Sequence, residues 1–260
     1  MMVLVACEFS GTVRDAFRAK GHDAYSCDLL SDANASPYHF QEDVIRLLMM
    51  DVAPWDLMIA HPPCTYLCCS GLHWNKRVPG RSDETEKALK FVKLLMNADW
   101  IPRIALENPV GCISTRIRPY DQKIQPWQFG HNASKGTCLW LKNLPALNHT
   151  SIVPPAKYQK VKCAIDCEPC PDCGEPYCFD CLDHYADCGC IGPSQDEATY
   201  KTVDGYEFAT LQSPAPKPVW GNQTASGQNK LGPSPDRWVE RSKTYQGIAD
   251  AMADQWGQIN

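Results

Sequence analysis

The chain has 260 residues, 44% of them hydrophobic and 21% charged, with a formal net charge of −5. That is enough for one large domain, or a medium domain with a small one, built on a real apolar core. No apolar stretch approaches the ~20 residues of a membrane span. The start, Met1-Met2-Val3-Leu4-Val5-Ala6-Cys7, has no basic leader, so neither a membrane anchor nor a signal peptide is expected.

The elements alternate along the chain. Residues 2–7 are an apolar run and predict a first strand. Residues 12–20 have helical spacing, with Val13, Ala16 and Phe17 on one face and Gly21 as a stop. A short strand over 22–27 ends at Asp28, and Val44, Leu47 and Leu48 predict a helical turn before Pro54. Residues 56–60 read as the next strand. Ser82-Asp83-Glu84 predicts the start of a helix to about residue 98, with an N-cap and two early carboxylates. Residues 103–107 and 137–141 predict two more strands. Strands alternating with helices give a doubly wound, Rossmann-like α/β sheet.

Composition changes after Pro145. Residues 151–200 are rich in Cys, Pro and Asp, residues 213–235 in Pro, Gly, Ser, Asn and Gln. Helical spacing returns at Ile248, Met252 and Trp256. The expected plan is an α/β catalytic domain over 1–150, a Cys-rich insertion over 151–235, and a C-terminal helix over 236–260 returning to the first domain.

Fifteen cysteines without an export signal favour thiols and metal ligands over disulfides, and a reducing cytoplasm. Eight of them, with one histidine, crowd into residues 163–190: Cys163, Cys167, Cys170, Cys173, Cys178, Cys181, His184, Cys188 and Cys190. Three Cys-x2-Cys gaps and sulfur-rich ligands predict zinc, and nine ligands suffice for two tetrahedral ions. Iron–sulfur is the rival, but the spacing lacks a standard cluster pattern. A lobe with few apolar residues needs such a metal to fold.

Two strand ends carry chemistry. The apolar run Trp55-Asp56-Leu57-Met58-Ile59-Ala60 leads into His61-Pro62-Pro63-Cys64-Thr65-Tyr66, a rigid turn with a thiol at its tip. Ile104-Ala105-Leu106-Glu107-Asn108-Pro109 repeats the plan with a carboxylate. A thiol and a carboxylate at the ends of two parallel strands converge in one cleft. That pair suits nucleophilic attack on an electron-poor ring beside a proton donor.

The first strand ends in Glu8-Phe9-Ser10-Gly11, with one glycine where the dinucleotide fingerprint needs three. A nicotinamide or flavin is therefore not expected. Asp28 is placed to bind a ribose and Asp43 to meet an adenine amino group, although each alone fits a solvated loop residue or helix cap better. The ordered set Phe9, Asp28, Asp43 and Pro62 fits a nucleoside cofactor without a pyrophosphate, such as S-adenosylmethionine.

Pro62-Pro63-Cys64 and Glu107-Asn108-Pro109 resemble the Pro-Cys and Glu-Asn-Val motifs of DNA cytosine-5 methyltransferases. Phe9-Ser10-Gly11 resembles their first cofactor motif, and Thr244-Tyr245-Gln246-Gly247-Ile248-Ala249 their last. The match is closest to short, divergent phage-type members and covers roughly 1–145 and 236–260. The family's Gln after the cysteine is Thr65 here. Lys135 and Thr137 stand where its base-holding arginines are expected, and Lys135 joins Cys64 and Glu107 as the expected catalytic set.

The resemblance implies Cys64 as a thiolate adding to carbon 6 of a flipped-out cytosine, its pKa lowered by nearby positive charge. Glu107, with a raised pKa, would protonate or hydrogen-bond ring nitrogen 3. S-adenosylmethionine, held by Phe9, Ser10, Gly11, Asp28, Asp43, Pro62 and Thr244, would supply the methyl group. DNA is the expected partner, and a monomer in the cytoplasm of a bacterial host is the expected state. Residues 61–160 carry fourteen basic and six acidic groups, in keeping with a polyanion at this cleft. Within them Lys76, Arg77 and Arg81 follow the Cys64 turn as expected phosphate contacts. The rival readings are an exocyclic-amino DNA methyltransferase, which needs no cysteine, and an inactive zinc-containing nucleic-acid-binding protein.

Overall fold

A computed structural model describes residues 1–155 except 51, the segments 157–159, 177–178, 183–184, 199–203, 206–210 and 217–224, and residues 229–259 except 233, 235 and 236. The chain divides into two compact units, one formed by Met1–Pro154 with Lys230–Asn260 and the other by Pro155–Asn229.

In the first unit, β1 (Met2–Ala6), α1 (Thr12–Ala19), β2 (Asp23–Asp28), β3 (His39–Gln41), α2 (Val44–Met49) and β4 (Leu57–Ala60) come first. There follow α3 (Cys69–Leu72), α4 (Arg81–Met96), β5 (Arg103–Pro109), α5 (Ile113–Arg116), β6 (Gln122–Ile124) and β7 (Thr137–Lys142). In the second unit, β8 (Lys157–Gln159) pairs with β13 (Lys217–Val219), β9 (Tyr177–Cys178) with β10 (Asp183–His184), and β11 (Thr199–Val203) with β12 (Tyr206–Thr210), all antiparallel. Two helices, α6 (Arg237–Ser242) and α7 (Gln246–Trp256), return to the first unit.

The seven strands of the first unit form one sheet in the order β3-β2-β1-β4-β5-β7-β6. Strands β1 to β5 pair in parallel, and β7 runs antiparallel to both neighbours. Both faces are covered, as parallel pairing requires. Alternate residues of β1 serve opposite cores. Leu4 and Ala6 pack with α2 and α4 residues such as Leu47 and Leu89, whereas Val3 and Val5 pack with Phe17 of α1 and Met252 of α7. The Trp256 indole donates to the Pro145 carbonyl at 3.0 Å, fixing α7 on that second face.

The predicted helix at 82 starts one residue earlier. Gly80, in the left-handed region at φ 76°, is the N-cap of α4, and no side chain caps it. Ser82 lies inside the first turn, and Asp83 and Glu84 provide the carboxylates that favour a helix N-terminus.

Candidate functional site

Strand order reverses between β1 and β4, because the chain runs outward through β2 and β3 before returning to the other side of β1. Loops leaving neighbouring strands at such a point part from each other and leave a crevice at the carboxyl edge. That crevice is lined by Cys7, Glu8, Phe9 and Ser10 after β1, and by His61, Pro62, Pro63 and Cys64 after β4. Glu107, Asn108 and Pro109 of β5, Lys135 ahead of β7, and Arg241, Ser242 and Thr244 from the α6–α7 segment complete it. Of the expected site residues, Cys64, Glu107, Lys135, Phe9, Ser10, Pro62 and Thr244 share this one cleft.

Register explains why the two motifs meet. Ala60 pairs with Leu106, so His61, just past β4, comes next to Glu107 of β5. The His61 Nδ1 and Glu107 Oε2 lie 2.9 Å apart, with side chains 9% and 12% exposed. One residue on, the Asn108 amide donates to the Pro62 carbonyl at 2.7 Å and is itself 1% exposed. The turn carrying Cys64 is thus fastened to the strand carrying Glu107.

Burial alone would raise the Glu107 carboxyl. The His61 hydrogen bond, the Lys135 ammonium and the Thr137 hydroxyl outweigh it and hold the group below the ordinary carboxylate range. The expectation of a raised pKa is therefore corrected: the resting group is a carboxylate. Lys135 reaches it from ahead of β7, while its Nζ donates to the Lys243 carbonyl at 3.5 Å.

Cys64 is corrected too. Its carbonyl accepts the amides of Leu67 and Cys68, each at 3.0 Å, which wraps the chain so that Cys68 stands one helical turn away. The contact with the Cys68 sulfur, burial and the Glu107 charge push the Cys64 thiol up, against the pull of Lys135. Cys68 moves the other way. It collects hydrogen bonds from the Cys64 thiol, the Ser70 hydroxyl at 3.1 Å and the Gly71 amide, with Arg241 nearby. The contact between the two sulfurs thus acts in opposite directions on them, up on Cys64 and down on Cys68.

At the other end of the cleft, Glu8 is 5% exposed and accepts the Val13 amide at 2.7 Å and the Arg14 amide at 3.2 Å. The N-terminus of α1, the natural seat for a phosphate, is occupied by the chain's own carboxylate. Cys7 turns the chain off β1 with φ 59°, in the left-handed region that few residues with a side chain adopt. Gly11 does not line the cleft. It is the left-handed N-cap of α1 at φ 71°, and a Cβ there would collide with the Arg14 guanidinium. Arg14 is fully buried and held by Asp32 at 2.5 Å.

Asp28, the last residue of β2, and Asp43, two residues after β3, also lie outside the lining, although both act electrostatically on Cys7. Asp28 accepts the Leu30 amide at 2.9 Å. Asp43 is the N-cap of α2, accepting the Ile45 amide at 2.8 Å.

The basic segment after Cys64 has two kinds of residue. Lys76 and Arg77 are exposed, with Arg77 5.6 Å from the Trp74 ring centre. Arg81 instead donates to the Thr65 carbonyl at 3.1 Å and sits 4.7 Å from the Tyr66 ring centre, so it braces the Cys64 turn. The nine predicted metal ligands lie outside the described residues, apart from the backbone of Cys178 and His184 in the β9–β10 pair. Among the described residues no group of three or more His, Cys, Asp or Glu is disposed to hold a metal.

Sequence reasoning missed four residues of consequence. His61 stood in the motif itself, directly ahead of Pro62. Cys68 could have been found by its i+4 spacing from Cys64. Asn108 was visible beside Glu107 without its partner being evident. Arg241 carries no sequence signal, because only the return of α6 brings it to the cleft.

No protein-family model and no curated protein sequence matches the chain. Among solved structures, similarity extends to a candidate DNA modification methyltransferase encoded within an E. coli prophage, with 16% identity and a TM-score of 0.40. The alignment covers 65% of this chain and 56% of that one, so the chain spans just over half of its length.

Proposed function

We propose that this protein is an S-adenosylmethionine-dependent DNA cytosine-5 methyltransferase with a zinc-holding insertion over residues 163–190. The observation that carries the reading is the meeting of Cys64, Glu107 and Lys135 in one cleft at the reversal of strand order, next to the loop after β1. The seven-stranded sheet is consistent with a Rossmann-like methyltransferase domain.

The cofactor end fits a nucleoside that carries no pyrophosphate. Glu8 already takes the amides that a phosphate would need. Phe9, Ser10, Pro62 and Thr244 would hold S-adenosylmethionine within the cleft, with Asp28 at the end of β2 and Asp43 just after β3. When bound, it supplies an electrophilic methyl group. The chain's own residues do the rest. Cys64 passes its proton to the Cys68 thiolate and adds to carbon 6 of a flipped-out cytosine, which makes carbon 5 nucleophilic. Glu107 serves ring nitrogen 3. It rests as a carboxylate, so it takes up a proton as the entering base displaces water and strengthens the burial effect. Lys135 keeps the cleft positive near both groups. Lys76 and Arg77 meet phosphates, and the insertion's eight thiols and His184 take two zinc ions.

The test is trapping. An oligonucleotide with 5-fluorocytosine blocks the release of carbon 5 and should freeze the Cys64 adduct as a band stable in denaturing gels. Cys64→Ser should form none. Methyl transfer without any adduct would point to an exocyclic-amino enzyme, and binding with neither would point to an inactive DNA-binding protein.

A further inference from the structure

The mechanism so far leaves two buried polar atoms of the cleft residues without a task, the Asn108 Oδ1 and, on a group that can take up a proton, the His61 Nε2. His61 is the first residue after β4, its backbone amide donating to the Ala6 carbonyl at 2.9 Å. Its Nδ1 lies 2.9 Å from the Glu107 carboxylate, and its side chain is 9% exposed. Its Nε2 is buried and has no hydrogen-bond partner, yet the residue lines the cleft between the Glu8 end and the Glu107 end. A buried ring nitrogen without a partner carries a desolvation cost that a native site rarely leaves unmet. The carboxylate partner decides the tautomer: Nδ1 keeps its hydrogen to donate to Glu107, and the lone pair falls on Nε2. A neutral imidazole held by a carboxylate at one nitrogen, with an unpaired lone pair at the other on a residue that lines the cleft, is the arrangement of a general base.

We infer that His61 is the base that removes the proton from carbon 5 after methylation, an assignment that rests on the cytosine-5 reading above. In that step Nε2 takes the hydrogen of carbon 5 as a proton. The electron pair of the broken C–H bond becomes the carbon 5–carbon 6 double bond. The carbon 6–sulfur bond breaks, and Cys64 leaves as a thiolate with that pair. Ring nitrogen 3 returns its proton to Glu107. The imidazolium and Glu107 then each lose a proton to solvent as the base leaves and water returns, and Cys68 hands its proton back to Cys64, which restores the resting site.

His61→Asn separates this role from a structural one, because the asparagine amide can still donate to Glu107 while the base is lost. With the variant, turnover should fall by about 100-fold or more. The yield of 5-fluorocytosine adduct should stay at the wild-type level, since that adduct forms before the step in question. On ordinary cytosine DNA the variant should accumulate a methylated covalent adduct, seen as a labelled band on a denaturing gel, where the wild type shows none. Turnover within a few-fold of wild type would overturn the assignment. So would joint loss of turnover and trapping, which would reduce His61 to a support for Glu107. A wild-type protein that traps nothing fails at Cys64 instead, and the two failures are read from different lanes.

Discussion

The Asn108 side chain ties the two motifs together by donating to the carbonyl of Pro62 at 2.7 Å, across 46 residues of sequence. The bond fastens the Cys64 turn to the strand that carries Glu107, beside the His61–Glu107 contact and the backbone bonds from Cys69 to Val110 and from Cys112 to Leu67. Asn108→Ala leaves the Pro62 carbonyl without its donor in a dry place, a cost of about 1–3 kcal/mol. Denaturant unfolding should show that loss, and the rate of adduct formation should fall further than stability alone explains. An unchanged trapping rate in the folded variant would mean that those other contacts hold the turn without it.

Glu107 makes stability depend on pH in one direction. Burial works against its charge, but His61, Lys135 and Thr137 depress its folded pKa below that of the unfolded chain. Its contribution is therefore present above the ordinary carboxylate range and is lost as pH falls through the depressed value. Glu107→Gln should be less stable than wild type at neutral pH, and the gap should close in acid. A gap that widened in acid would show that burial prevails and the carboxyl rests protonated. The same variant should lose methyl transfer at every pH.

The fold was legible where apolar runs were long enough to speak. The strands β1, β4, β5 and β7 are continuous apolar stretches because both their faces are covered, and α1 and α7 show their buried stripes at helical spacing. The strands His39–Gln41 and Ile124 with its two neighbours escaped, being three-residue segments too short for any periodicity. Cys64 and Glu107 were legible as strand-end residues. Their protonation states were not, because those are set by Lys135, Thr137 and Arg241, which the sheet and α6 bring in from far along the chain. Asp43 shows the reverse: the residue read for a ligand also has a local task, as the cap of α2.

The thiol pair should be visible without any substrate. Cys68 sits well below the ordinary thiol range because the Cys64 thiol, Ser70 and Gly71 all donate to it. Alkylation mapped by mass spectrometry should modify Cys68 first, at pH values where ordinary thiols are inert. In Cys64→Ala one donor is gone, and the onset for Cys68 should move to higher pH. If Cys64 were alkylated first in the wild type, the charge would lie on the nucleophile at rest, and Cys68 would have no part in activating it.

The purified protein should carry zinc, two ions per chain, on the ligands between Cys163 and Cys190. Elemental analysis with zinc near two equivalents is the expected result; iron with a visible chromophore would replace the assignment. Chelation should release the metal and unfold the insertion, while the seven-stranded sheet, with its own cores on both faces, persists. Loss of the helical and sheet signal together on chelation would mean that the two units fold as one.

The remaining prediction concerns DNA and divides the basic segment. Lys76 and Arg77 are exposed and free to meet phosphates, whereas Arg81 spends its guanidinium on the Thr65 carbonyl and the Tyr66 ring. Each phosphate contact releases condensed counterions, so affinity should fall steeply with salt. Replacing Lys76 and Arg77 together by alanine should reduce the slope of log affinity against log salt by about 2, and weaken binding to all sequences alike. Trapping at saturating DNA should survive, because phosphate contacts position the protein and do not perform the chemistry. Arg81→Ala should behave in the opposite way: little change in the salt slope, but slower adduct formation, because the turn beyond Cys64 loses its brace. If Arg81→Ala alone flattened the slope and the double variant did not, the phosphates would lie on the Tyr66 side of the turn, and the path of the DNA would have to be redrawn across α4.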